Sequence, residues 1–219
     1  HDIDYDDVCS LIVHAGKALE LSDALDEEMQ VFVHAPFSDD SEVVDDKNTP
    51  SIVLQPRLYN GKQETNLLIT GDTPYEVLDR IVEVSQENDN EGYLSWDIYD
   101  IPHHCSYTGL NEKESDDVEV ITPTDNVQWL LEQANPGSYM VASCDKITEE
   151  TSPPHMCAKL AYEQYTADDV KFLATMEHIP TGKTVPTPIR FKIESMGVTL
   201  KQDRVQTEYL KKTAPRAGN

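Results

Sequence analysis

The chain has 219 residues, and its 17 Lys and Arg against 41 Asp and Glu give a formal charge of −24 at pH 7. That length suits one sizeable domain, and the 38% of hydrophobic residues is enough for a globular core. The charge excludes a broad basic face for nucleic acids unless a cation or a second chain supplies positive potential. No apolar run approaches 18 residues, so we expect no membrane insertion by this chain.

The cysteines indicate a reducing compartment. They lie far apart and form no CxxC pair, which is typical of free thiols and excludes a zinc finger on spacing: Cys9, Cys105, Cys144 and Cys157. We therefore expect a cytoplasmic location.

The first third of the chain predicts a helical lead-in, a strand and a hairpin. Apolar residues recur at three-to-four spacing in residues 1–28, and the chain opens on His1, so we interpret this lead-in as the remnant of an upstream half. Residues 29–37 predict a short strand. Residues 51–59 and 62–70 predict a hairpin with Asn60 and Gly61 as the central residues of a type I′ turn.

Helices and strands alternate after the hairpin. Thr73 predicts an N-cap, and the helix after it has an apolar face of Val77, Leu78, Ile81 and Val82. The remaining predictions are a strand at 93–102, a helix at 126–138 closed by Asn-Pro-Gly, a strand at 139–144, a helix from about 158 to 177, and a hairpin at 189–202. This order indicates a layered α/β fold.

Two strand ends carry side chains suited to metal chemistry. Asp72 follows the apolar run LLIT and Gly71, and His103 and His104 follow the strand that ends in DIP. Carboxylate oxygen and imidazole nitrogen are ligands for zinc, manganese or iron. Taken alone, Gly71-Asp72 also reads as an ordinary turn, and the His pair as two unrelated surface histidines.

The succession of these pieces resembles the C-terminal half of a metallo-β-lactamase-fold hydrolase. It is most similar to the branch typified by the hydrolase domain of competence-type DNA-uptake channels, over roughly residues 29–160. Five motifs of that family have counterparts here. They are the start of the hairpin (Asn48–Ser51), LLTGD (Leu68–Asp72), VPHHGS (Ile101–Ser106), the helix–strand junction (Asn135–Gly137) and the gHP loop (Pro154-His155). The expected fold is therefore the C-terminal half of an αββα-type sandwich with a C-terminal hairpin extension.

The resemblance also implies roles for individual residues. Asp72 would bridge two divalent cations, zinc or manganese, and one of His103 and His104 would be a terminal ligand. His155 would be a second ligand, although it also reads as an exposed loop histidine. Ser106 would orient the loop or contact a phosphate. Tyr107 would bind the substrate or would serve only in side-chain packing.

The chain departs from the family at two points. The HxHxDH metal motif of the N-terminal half is absent, and Cys105 stands where the family has the Gly of HHGS. Either an upstream half or a partner chain supplies the missing ligands, or the site has decayed. Residues 1–28 would then be the lead-in, 29–180 the lactamase-like half, and 181–219 the hairpin and tail.

These features lead to two functional hypotheses. The first is a metal-dependent hydrolase with Asp72 and His104 at its catalytic centre, in which a metal-activated water cleaves a phosphodiester of a nucleic acid or nucleotide. Hydrolysis of a lactam, lactone or thioester uses the same metal core and stays open. The alternative is a non-catalytic interaction subunit or regulatory module of a larger assembly.

Overall fold

The computed structural model describes residues 13–19, 28–37, 51–113, 115, 118–148 and 153–201. Seven strands in these residues form one mixed sheet, arranged in chain order. They are β1 (Lys17–Ala18), β2 (Met29–Ala35), β3 (Val53–Asn60), β4 (Gln63–Leu68), β5 (Trp96–Ile101), β6 (Ala134–Ala142) and β7 (Lys171–Ala174). β1 to β4 pair antiparallel, and β4 to β7 pair parallel, so the mixed α/β prediction is confirmed.

Three helices connect the parallel strands. α1 (Tyr75–Glu87) joins β4 to β5, α2 (Asp125–Glu132) joins β5 to β6, and α3 (Met156–Gln164) joins β6 to β7. Crossovers between neighbouring parallel strands are right-handed, so successive helices lie on the same face of the sheet. Buried residues of all three helices accordingly belong to one hydrophobic core.

The apolar face predicted for α1 is confirmed. Its four aliphatic side chains are at most 5% exposed, and burial of each stabilises the fold by about 1.5–3 kcal/mol: Val77, Leu78, Ile81 and Val82. The predicted N-cap is wrong, because Pro74 precedes the helix and no side chain caps it. The Thr73 hydroxyl instead donates to the Thr70 carbonyl, 2.6 Å away, and so tightens the turn after β4.

The β3–β4 hairpin forms as predicted, but its turn is displaced by one residue. Asn60 pairs with Gln63, so Gly61 and Lys62 are the central turn residues. Only Gly61 has positive φ, at 64°, which is the pattern of a type II′ turn. Glycine at the first central position satisfies that turn, so Asn60 is free to remain in the strand.

The helix predicted for 126–138 is wrong beyond Glu132, because β6 begins at Ala134, and the helix predicted for 158–177 is wrong beyond Gln164. The Thr166 hydroxyl donates to the Tyr162 carbonyl at the helix end, and the chain then turns into β7. The Asp169 carboxylate accepts the Gly137 N–H at 2.6 Å, which fixes the start of β7 beside β6. Parallel pairing with β6 therefore decides the conformation of a short segment whose local pattern also suits a helix.

The predicted C-terminal hairpin is present as a separate two-stranded sheet. β8 (Phe191–Glu194) and β9 (Gly197–Leu200) pair antiparallel, and the rest of the tail from residue 202 lies outside the described residues. The hairpin packs on the sheet through Tyr139, whose ring lies 4.9 Å from that of Phe191 and whose hydroxyl accepts the Leu200 N–H.

Most of the predicted lead-in over 1–28 lies outside the described residues. Where it is described, Lys17–Ala18 is not helical but forms β1, which pairs with Phe32 and Val33 of β2. The backbone hydrogen bonds of this edge strand therefore join it to the sheet. None of the helices within the described ranges is long and apolar enough to cross a membrane.

Candidate metal centre at the carboxyl edge of the sheet

The parallel strands bring the predicted site residues to one edge. Asp72 follows β4, His103 and His104 follow β5, and Ser143 follows β6. The carboxyl ends of parallel strands meet at the same edge of a sheet, which is where open α/β folds bind ligands. The His103 N–H donates to the Gly71 carbonyl at 2.9 Å and so joins the first two of these loops.

Asp72 and His104 form the centre of the candidate site. His104 Nε2 lies 3.4 Å from Asp72 Oδ1, and the two side chains are 53% and 47% exposed. On the other side of the ring, His104 Nδ1 lies 2.7 Å from the Ser143 carbonyl oxygen. A carbonyl only accepts, so Nδ1 carries the proton in this contact. With one proton on the ring, Nε2 presents its lone pair toward the carboxylate.

The structure separates the two neighbouring histidines. His103 Nδ1 lies 3.1 Å from Thr108 Oγ1, and the Thr108 hydroxyl in turn donates to Ser106 Oγ at 2.9 Å. Ser106 is 2% exposed and also accepts the Thr108 N–H. The side chains of His103 and Ser106 are therefore engaged within the loop, whereas His104 reaches Asp72.

The backbone of this loop adopts an unusual conformation. Three consecutive non-glycine residues have left-handed dihedrals, with φ of 48° at His103, 55° at His104 and 64° at Cys105. Left-handed helical geometry costs an L-residue roughly 1–2 kcal/mol, and such strain concentrates at functional sites. Glycine would adopt this conformation at position 105 without that cost.

His155 and Tyr107 lie together rather than with Asp72. His155 is 6% exposed, and its ring lies 4.8 Å from that of Tyr107. The backbone N–H of His155 donates to the Cys105 carbonyl at 3.0 Å. Throughout the described part of the chain, no three His, Cys, Asp or Glu side chains converge to hold a metal ion. Asp72 and His104 thus form a pair without a third protein ligand in these residues.

Sequence reasoning missed Asp100, which lies behind this pair. Its carboxylate accepts backbone hydrogen bonds from Gly71 and Thr70, and its own carbonyl accepts the Thr70 hydroxyl at 2.5 Å. Burial raises the pKa of the Asp100 carboxyl above its usual range, and the two N–H groups only partly offset this. The signal in the sequence was the position of Asp100 within the strand WDIYDI, where a charged residue directly precedes the last apolar residue of the strand.

A cavity of about 440 Å³ opens beside His104 at the ends of β6 and β7. Its walls are contributed by the loops that follow these strands and by the turn before α3: His104, Ser143, Cys144, Asp145, Pro153, Pro154, Thr175 and Met176. Cys144 and Thr175 join the two strand ends, because the Cys144 N–H donates to Thr175 Oγ1 and the Thr175 hydroxyl donates back to the Cys144 carbonyl. His104 is therefore common to the cavity and to the pair that it forms with Asp72.

Comparisons with known proteins do not identify a family for this chain. No family model, curated protein or solved structure gives a significant match to the chain.

Proposed function

We propose that the chain is the C-terminal part of a metallo-β-lactamase-like, metal-dependent hydrolase that cleaves phosphodiesters. The observation that carries this proposal is the pairing of His104 Nε2 with Asp72 Oδ1 at 3.4 Å, while His104 Nδ1 is bound to the Ser143 carbonyl. Metal-binding histidines characteristically donate their second ring N–H to such an oxygen, which fixes the tautomer.

The donor set fits a divalent cation. His104 Nε2 and Asp72 Oδ1 lie 3.4 Å apart, so the two atoms are near enough that both could bind one zinc ion. Two acceptors that face each other repel unless a cation or a proton lies between them. The carboxylate and imidazole are half-exposed, so a cation from solution can reach both.

In this proposal two residues bind the metal and two others position them. Asp72 and His104 would hold the metal, which when bound supplies a water acidic enough to attack at neutral pH. The Ser143 carbonyl holds the His104 ring in its orientation, and Asp100 holds the loop that carries Asp72. A bound cation would offset the local negative charge at this edge, so that an anionic phosphodiester could approach despite the net charge of −24.

A dinuclear centre needs further ligands. In this proposal an HxHxDH segment of an upstream half or a partner chain supplies them and completes the αββα sandwich. Asp72 would then be a ligand of both ions, which would be zinc or manganese. His155 is proposed as a further ligand only if its ring leaves Tyr107, on which it now packs.

Metal binding by the purified chain tests the proposal. Zinc and manganese are titrated by calorimetry into wild type, Asp72→Ala and His104→Ala, with the exposed Asp168→Ala and His14→Ala as matched controls. We expect both site variants to lose at least tenfold in zinc affinity and both controls to retain it. Equal zinc affinity in all five proteins would refute the site.

A second candidate is a non-catalytic interaction module. The observation in its favour is that the described residues place no third ligand beside Asp72 and His104. Hydrolysis of bis(4-nitrophenyl) phosphate by the chain together with the HxHxDH-bearing segment separates the two candidates. Turnover that disappears in His104→Ala supports the hydrolase, and metal binding without turnover supports the module.

A further inference from the structure

The cavity beside His104 has a chemistry of its own that the metal-binding pair does not explain. It begins at the imidazole of His104 and continues between the loop after β6 and the end of β7. A substrate held at Asp72 and His104 would therefore extend one of its substituents into this space. What that substituent is follows from the charges and surfaces that line the cavity.

The electrostatics of the cavity disfavour an anionic group. Asp145 lines it, and the described lining residues include no Lys or Arg. Burial raises the pKa of the Cys144 thiol to about 11, and the carboxylates of Glu177 and Asp145 add to this effect. The thiol is therefore neutral at pH 7 and is surrounded by negative charge, so a second phosphate would be repelled here.

The surfaces of the cavity suit a flat ring. Met176, Pro153 and Pro154 line the cavity, and Met176 is 47% exposed. Thioether and proline surfaces pack well against aromatic rings. Asp145 adds a carboxylate that accepts two hydrogen bonds side by side, so the ring should carry N–H donors on one edge.

We propose that this cavity binds the nucleobase of the substrate, with guanine preferred. Guanine is the nucleobase whose N1–H and exocyclic N2–H form two adjacent donors, which match the two oxygens of Asp145. Met176 and Pro154 contact the faces of the base, while the phosphodiester lies at Asp72 and His104. This assignment deepens the proposed hydrolase function and rests on it for the placement of the phosphate.

Binding of nucleosides tests the cavity separately from the metal-binding pair. Guanosine, inosine and uridine carry no phosphate, and their dissociation constants can be measured by saturation-transfer NMR. The proteins are wild type, Asp145→Asn, Met176→Ser and Asp72→Ala, with Asp168→Asn as the carboxylate control. Inorganic pyrophosphate is the anionic probe.

We expect guanosine to bind about tenfold more tightly than inosine, which lacks the exocyclic amino group. Asp145→Asn should weaken guanosine binding at least fivefold and Met176→Ser should weaken it as well. Asp72→Ala and Asp168→Asn should leave it unchanged. Three outcomes would each overturn the inference. They are loss of guanosine binding in Asp72→Ala, unchanged guanosine binding in Asp145→Asn, and binding of pyrophosphate but not of guanosine to the wild type. Guanosine binding to a chain that fails the zinc test would remove the hydrolase function and leave the base site standing.

Discussion

His104 and Asp72 face each other across the ends of two neighbouring parallel strands, with Nε2 and Oδ1 3.4 Å apart. The pair depends on long-range structure, because β4 and β5 are separated in sequence by α1 and meet only in the sheet. The Ser143 carbonyl after β6 adds a third strand end to the arrangement. Three successive strands thus determine the position and the tautomer of one imidazole.

The tautomer of His104 is directly measurable. Because Nδ1 lies 2.7 Å from a carbonyl oxygen, we expect the neutral ring to carry its proton on Nδ1. Long-range ¹H–¹⁵N correlation spectra at pH 8 distinguish the two tautomers, and His104→Ala identifies the signals. Added zinc should shift Nε2 rather than Nδ1. A ring protonated on Nε2 in the metal-free chain would contradict the Ser143 contact.

The strain at Cys105 predicts an unusual order of stability among its variants. Cys105→Gly loses more buried surface than Cys105→Ala but relieves a left-handed conformation, which costs an L-residue roughly 1–2 kcal/mol. We therefore expect the Gly variant to be at least as stable as the Ala variant in urea unfolding. Cys157 lies in α3, where Gly should be about 1 kcal/mol less stable than Ala. The same order at both positions would contradict the left-handed assignment.

Local sequence signals predicted the parts of the fold that depend on local chemistry. The β3–β4 hairpin has an Asn-Gly pair, and α1 has four aliphatic residues on one face, so both were recognisable. The one-residue displacement of the turn was not, because Gly61 suits both turn types and the cross-strand register chooses between them. β7 was missed for a similar reason, since its four residues become a strand through pairing with β6.

The candidate site was predictable in its residue types but not in its geometry. Asp72 and His104 were recognised as strand-end residues of metal-ligand type, and the resemblance to a known family implied that they share a site. Nothing in the sequence distinguished His103 from His104, because the left-handed turn that directs one ring to Thr108 and the other to Asp72 is a property of the folded loop. Asp100 was missed because its role is to accept backbone N–H groups of another loop.

His34 predicts a loss of stability in acid. It is 3% exposed and its Nε2 donates to the Tyr93 carbonyl, and burial lowers its pKa from 6.5 to about 4. A depressed pKa means that the neutral ring contributes stability above pH 6.5, which is lost as the pH falls toward 4. The linkage relation gives a loss of about 2 kcal/mol between pH 7 and pH 5.

Urea unfolding of wild type and His34→Gln at pH 7 and pH 5 isolates this contribution. The buried carboxyls with raised pKa, such as Asp97 and Asp100, change stability in the opposite direction, but they are the same in both proteins. We expect the wild type to lose about 2 kcal/mol more than the variant over this range. Parallel losses would show that the protonation of His34 is not coupled to unfolding.

Asp100 should act on the proposed metal site through the loop that it holds, and Asp97 provides a matched control. Both are partly buried carboxylates of β5 with raised pKa, and both accept backbone N–H groups of the β4 segment. Asp97 accepts that of Asn66 at 2.7 Å, and Asp100 accepts those of Thr70 and Gly71. Asp97 lies near the start of β5, whereas Asp100 lies beside the loops that carry Asp72 and His104.

We expect the change of either residue to Ala to lower the free energy of unfolding by about 1–3 kcal/mol, because the backbone donors lose their acceptor. Only Asp100→Ala should also weaken zinc binding, by about tenfold, as the removal of an outer supporting residue typically does. Calorimetric zinc titrations at a temperature where both variants are fully folded make the comparison. Equal zinc affinities in the two variants would mean that Asp100 contributes to stability and not to the position of Asp72.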